Sequence, residues 1–168
     1  MYMRRKFLFL FLITVAGLLH CGAQTLNTNR PSDPSLIRGK GSLSFKLNGK
    51  IYHANPSEIK CWTTAKVPVA ILWAKGDDLN ISLQIQHMKG TGIYRIDKDS
   101  SGKTNFTVGG KVYWIKRTDG SNYLNVVITG IKDLYSVKLL SGSFEGILED
   151  GDGHRVNITA GLFTTEGI

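Results

Sequence analysis

The fold this sequence predicts is all-β, either a single antiparallel β-sandwich or a lipocalin-like barrel of about 8–10 short strands. Three observations predict it. Apolar and polar residues alternate with a period of two, most clearly where Leu79, Ile81, Leu83 and Ile85 interleave with Asn80, Ser82, Gln84 and Gln86. The chain carries 19 glycines, and these fall with Asn, Asp and Ser between the alternating runs, where turns need special backbone angles. The runs follow one another through short connections, which implies antiparallel pairing of consecutive strands.

Residues 1–23 come before the fold. Arg4, Arg5 and Lys6 lead into an apolar run over residues 7–19, closed by His20, Cys21, Gly22 and Ala23. Charge, then grease, then small residues is the order of an export signal. The run is too short to span a bilayer, which needs about 20 apolar residues. Two cuts compete. Cleavage after Ala23, the favoured one, leaves Gln24 at the N-terminus. In the other, Cys21 becomes a lipid anchor, although His20 stands where that motif takes a small residue. Either product is exported: periplasmic, outer-membrane associated or secreted. Loss of the three signal cations lowers the net charge from +8 to +5. The remaining cations, among them Lys46, Lys50, Lys75, Lys89, Lys103, Lys111, Lys116 and Arg117, are spread over strand ends and turns. That spread argues against a nucleic-acid surface, which clusters its charge.

Residues 24–40 contain Pro31, Pro34 and mostly small polar residues, a composition with no power to form a core; they read as a flexible tether. Residues 41–168 then form a single all-β domain. Leu43, Phe45 and Leu47 alternate with Ser42, Ser44 and Lys46. Asn48-Gly49 turns the chain, since both positions tolerate positive φ, and residues 50–54 return. Cys61 beside Trp62 reads as a buried, unreactive thiol, alone once the signal is cut and so without an intramolecular disulfide. Residues 69–74 are a continuous apolar run, turned by Gly76-Asp77-Asp78 into the strand that starts at Leu79. Further strands are predicted at 92–96, 104–108, 111–116, 123–129, 137–148 and 154–163, with one helical turn around Ile131 to Tyr135. The interior row Leu79, Ile81, Leu83, Ile85, Leu124, Val126 and Ile128 is bulky, which favours a filled core over a hollow barrel.

Several stretches resemble small exported proteins of the Bacteroidota cell envelope. Gly90-Thr91-Gly92-Ile93-Tyr94-Arg95-Ile96 is similar to their G-x-G-x-Y-x-L strand. Residues 141–148 and 156–163 resemble their closing hairpin, S-G-T-F-S-G followed by V-x-I-T-N-G-x-F, with Ala160 in place of the Asn. Residues 46–54 resemble their opening x-L-N-G-K-x-Y-x-A. The resemblance implies an exported all-β domain of lipoprotein type and brings no catalytic residue with it.

The chemistry is sparse. Asp97-x-Asp99-x-Ser101-Gly102 mimics half a calcium loop, but the twelfth position, which should hold a bidentate acid, is Val108. Asp150 and Asp152, beside Glu149 and two glycines, are a second weak cation candidate; both clusters read better as turns, and no metal or other cofactor is expected. His53, His87 and His154 lie on separate predicted strands without HxH or HxxxH spacing. No G-x-S-x-G surrounds Ser143. Asn80, Asn105 and Asn157 open formal N-glycosylation triplets, which mark outward strand positions. Tyr113 and Trp114 are adjacent and must face opposite ways on a strand, so one of them, together with Trp62, is a candidate ligand-stacking ring. The expected function is a non-enzymatic binding or assembly module with a glycan or envelope-protein partner. The alternatives are a lipocalin-like small-ligand binder and a small secreted hydrolase using His87 or His154 as base.

Overall fold

The computed structural model describes residues 41–64, 67–116, 120–134 and 137–166. The expected signal, the tether, Cys21 and Tyr135 lie outside the described residues. Among the described residues no helix is long and apolar enough to cross a membrane.

Among the described residues eleven strands follow one another: β1 Gly41–Leu47, β2 Lys50–His53, β3 Ile59–Thr64, β4 Ala70–Gly76, β5 Leu79–Ile85, β6 Gly92–Ile96, β7 Lys103–Val108, β8 Lys111–Tyr113, β9 Tyr123–Leu134, β10 Val137–Glu149 and β11 Arg155–Thr165. A 3-10 turn at Pro56–Glu58 precedes β3. Every pairing is antiparallel. The hairpin turn of β1 and β2 has the backbone its sequence demands, with Asn48 at φ 47° and Gly49 at φ 86°.

β10 organises the sheet. Its residues 137–139 pair with β9 on one edge and β3 on the other, while residues 142–149 pair with β11 on the β3 side. One strand thus feeds two lobes, β3-β4-β5-β7-β8 and β11-β1-β2. The inner faces of the lobes meet: Phe45 of β1 lies 5.8 Å from Phe106 of β7, and Phe144 of β10 lies within 5.9 Å of both rings. Phe163 completes the cluster, and all four rings are at most 1% exposed. The arrangement is sandwich-like. Among the described residues the backbone pairing between the tail of β8 and the end of β10 is a single bridge, Trp114 with Glu149, so no continuous ladder closes a barrel.

Two glycines permit the turn of β9 over β10. A Cβ on Gly142 would collide with the Val127 carbonyl oxygen, and one on Gly146 with that of Tyr123. The ladder between these strands shifts register over the same stretch, between Ser141 and Glu145, and a bulge there increases twist.

Four expectations need correction. The helical turn at Ile131 is strand: Leu134 pairs with Val137 and Ile131 with Leu140, because the partner β10 extends far enough to hold them. β8 stops at Tyr113 rather than residue 116, since Trp114 leaves β7 to bond Glu149 through both its backbone groups at 3.0 Å. β3 has no counterpart among the predicted strands. Its outward Trp62 and inward Thr63, which is 4% exposed and bonds the Val69 carbonyl, blur the polar-apolar pattern. The strands also number eleven, and β9, β10 and β11 run to 12, 13 and 11 residues rather than being short.

Candidate functional site

A group of polar side chains sits where β10 passes into β11. Asp150 is 6% exposed. Its Oδ1 accepts the amides of Asp152 at 3.0 Å and His154 at 2.9 Å, and its Oδ2 lies 3.3 Å from His154 Nδ1. The His154 amide is the main cause holding this carboxyl below the usual carboxylate range; partial burial opposes it, and the Asp152 amide and the imidazole add to it. Gly153, at φ 85°, lets the chain return. Asp150, Asp152 and His154 could bring three ligand atoms within 4.8 Å of one another, the one such group among the described residues. Asp150 already serves three donors, however, so a cation would compete with the bonds that hold the turn.

Glu149 points the other way and is 4% exposed. Its Oε1 accepts Lys116 Nζ at 2.8 Å, and its Oε2 accepts Nδ2 of Asn122, which is fully buried. This trio pins the Trp114 bridge in place and satisfies a carboxylate that would otherwise be costly to bury.

The other acidic candidate is likewise a turn. Asp97 Oδ1 accepts the amides of Asp99 and Ser100, both at 3.1 Å, and Arg95 Nε donates to Oδ2 at 3.0 Å. Desolvation pushes this carboxyl up, but the Arg95 bond and the two amides outweigh it and hold it low. Asp99 turns outward to Lys98 at 3.2 Å, so the two acids do not converge on one point as a calcium loop requires.

The aromatic candidates separate. Tyr113 is buried, 7% exposed, in the core. Trp114 is half-buried and forms one wall of a groove of about 510 Å³, shared with Ser82, Asp97, Gly102, Lys103, Thr104, Asn105 and Ile115. The groove opens where the chain peels off β7. Beyond Tyr113 the ladder is replaced by one side-chain bond, from the Ile115 amide to Thr104 Oγ1 at 3.1 Å. Trp62 pairs with Leu139 near the start of β10, whereas Trp114 pairs with Glu149 at its end. By register Trp62 stands three strand spacings, about 14 Å, from Lys103 at the edge of the groove, so Trp62 and Trp114 do not share one stacking site.

Cys61 is 2% exposed, and burial pushes its thiol far above the usual range. His53, His87 and His154 are exposed and belong to no common cluster among the described residues. His154 bonds only Asp150 through its ring among the described residues, with no hydroxyl or thiol nucleophile attached. Sequence reasoning missed Glu149 with Asn122 and Lys116, because nothing local marks a buried carboxylate. It also missed Ser82 and Lys103 as groove residues. Asn105, which the sequence marks as an outward position, is exposed. Comparison with protein-family models, with curated proteins and with solved structures finds no match for this chain.

Proposed function

We propose that the protein is an exported, non-enzymatic β domain of the cell envelope that binds glycan, with the groove beside Trp114 as its site. The export reading rests on the basic, apolar and small-residue order of residues 1–23. The glycan reading rests on one observation: a half-buried indole and Ile115 form the apolar part of a groove that also presents the hydroxyl, amide and charged side chains of Ser82, Thr104, Asn105, Lys103 and Asp97. An aromatic face takes the C–H side of a sugar ring. Hydroxyls and amides both donate and accept, as a sugar's hydroxyls do. Four phenylalanines fill the interior that a lipocalin-like binder keeps hollow, which leaves the surface as the place for a ligand.

The experiment is a titration of the protein with a panel of oligosaccharides, followed by tryptophan fluorescence and calorimetry. A binding sugar shifts the emission, and Trp114→Ala lowers its affinity about tenfold, the loss of one stacking contact. No response across the panel, or full affinity in Trp114→Ala, refutes the reading.

A second reading has its own observation. Ile93 is 75% exposed on β6, a strand paired only with β9 among the described residues. An open edge with an exposed branched side chain suits strand addition by a protein partner. A change of Ile93 to Asp that abolishes an association seen in solution supports it.

A further inference from the structure

Successive side chains of a strand alternate between its two faces, and directly paired residues of neighbouring strands share a face. The inner face of β3, β4, β5 and β7 is closed core, with Ile59, Ile81 and Phe106 at 0% and Leu72 at 2% exposure. The outer face of the same four strands is different. Lys60 pairs with Trp73, Trp73 with Ser82, and Ser82 with Asn105. Beside that row runs a second, in which Trp62 pairs with Ile71, Ile71 with Gln84, and Gln84 with Lys103. Each row starts at an aromatic or a lysine and ends at residues of the groove, since Ser82, Asn105 and Lys103 are among its lining. The groove is therefore one end of a surface three strand spacings long, about 14 Å.

We infer that this surface is a track for a linear anionic polysaccharide lying across β3, β4, β5 and β7, with Trp73 stacked on a sugar ring and Lys60, Lys75 and Lys103 pairing with its carboxylates or sulfates. The inference rests on the glycan reading of the groove and extends it to the charge and length of the ligand. Trp73 is the first support. It is half-buried on the solvent side of a strand whose core side is already complete. The second is charge. Lys75 Nζ lies 5.0 Å and Lys60 Nζ 5.7 Å from the centre of the Trp73 ring, and neither ammonium has a carboxylate partner among the described residues. Both ammoniums lie over the Trp73 ring, and an anionic sugar stacking there would draw them from the ring to its own charged groups. The two rows contain no acidic residue; Glu58, Asp77 and Asp78 lie beyond their ends, and Asp97, which lines the groove, is paired with Arg95.

The face discriminates between anionic polymers. Asn80, Ser82, Gln84 and Asn105 present groups that donate and accept at one position, which suits the adjacent hydroxyls of a sugar. Phosphodiester chains instead reward a series of aromatics on which successive bases stack. Here the two outward indoles sit on neighbouring strands, offset by two residues, a diagonal of about 7–8 Å. The lysines scattered in sequence are thus gathered by register on one side of the sheet.

The test uses protein expressed from its full chain and measures affinity for polygalacturonate, a chondroitin sulfate, dextran of similar length and poly(dT). The acidic polysaccharides bind at least about tenfold more tightly than dextran, and their affinity falls as the Debye length is reduced from about 10 Å to about 3 Å. Trp73→Ala and the pair Lys60→Gln with Lys75→Gln each weaken that binding about tenfold, while Lys46→Gln on β1 leaves it unchanged. The lysine pair carries the test alone if Trp73→Ala loses its cooperative melt. Equal binding of dextran and the acidic polymers overturns the anionic track and leaves the glycan groove standing. So does a loss of binding in Trp114→Ala with none in the Trp73 and lysine variants. Tighter binding of poly(dT) than of any polysaccharide, or no binding by any polymer, overturns both.

Discussion

Gly142→Ala tests the account of how β9 folds over β10. The added methyl would meet the Val127 carbonyl oxygen inside contact distance and the Phe163 Cζ at 3.0 Å. Neither neighbour can yield cheaply. The carbonyl belongs to a strand held by ladders to β6 and β10. Phe163 is 1% exposed and packs against Phe144. Overpacking a core costs about 1–3 kcal/mol, and more where backbone must move, so the expected loss is about 3 kcal/mol or above. Set against a total stability of about 5–15 kcal/mol, that is a large fraction. Gly151→Ala is the matched control. Its methyl would lie 3.6 Å from the Trp114 ring, an ordinary contact, so the change stays within about 0.5 kcal/mol. Guanidinium unfolding followed by tryptophan fluorescence and far-ultraviolet circular dichroism measures both. A Gly142→Ala protein within about 1 kcal/mol of wild type, or a Gly151→Ala protein equally destabilised, refutes the close approach as the reason for glycine.

Four further outcomes are expected. Ala160 is held at φ 50° in a bulge of β11, where the register shifts against both β1 and β10; Ala160→Asn, which tolerates that backbone, raises stability by roughly 0.5–1 kcal/mol in thermal melts. The Asp150 carboxyl is held below its ordinary value, so the stability it contributes is present above the unfolded pKa of about 3.9 and is lost as pH falls through the folded one. In calorimetric melts the gap between wild type and Asp150→Asn therefore closes as the solution is acidified below about pH 4. Asn122→Ala removes the partner of a buried carboxylate oxygen and costs about 1–3 kcal/mol, whereas Lys138→Ala breaks an exposed pair with Asp133 and costs about 0.5 kcal/mol or less in denaturant titrations. The Cys61 thiol, buried and pushed up by desolvation, stays unmodified by iodoacetamide in the native protein and reacts on unfolding, as mass spectrometry of the alkylated protein would show.

Much of the fold was legible because its determinants are local. Asn48-Gly49 names its own turn, and the row from Leu79 to Ile85 names both faces of its strand; all four of its apolar residues are buried. What stayed hidden depends on partners distant in sequence. β3 carries a tryptophan outward over Val137 and Leu139, which makes an outer face look like an inner one. The last turn of β9 is strand only because β10 is long enough to pair with it. Glu149 and Asp150 look alike in sequence, yet one faces Asn122 and Lys116 while the other ties its own turn. Tyr113 and Trp114 were expected to part to opposite faces, and burial alone decides that Trp114 is the one at the groove.

The outer face follows from the same limit. Alternation says which side of its own strand a residue occupies, but not which residue on the next strand stands beside it. Register supplies that, and here the core sets the register. Sliding β5 by one residue would put Ile81 or Leu83 where Ser82 stands and expose a fully buried side chain. The turn at Asp77 and Asp78, which leaves Gly76 opposite Leu79, blocks a slip of two. Burial of Leu79, Ile81, Leu83 and Ile85 on one side therefore aligns Trp73 with Ser82, and Ser82 with Asn105, on the other. The groove and its approach are positioned by packing that they do not touch, so substitutions on the outer face can change binding while leaving the sheet intact.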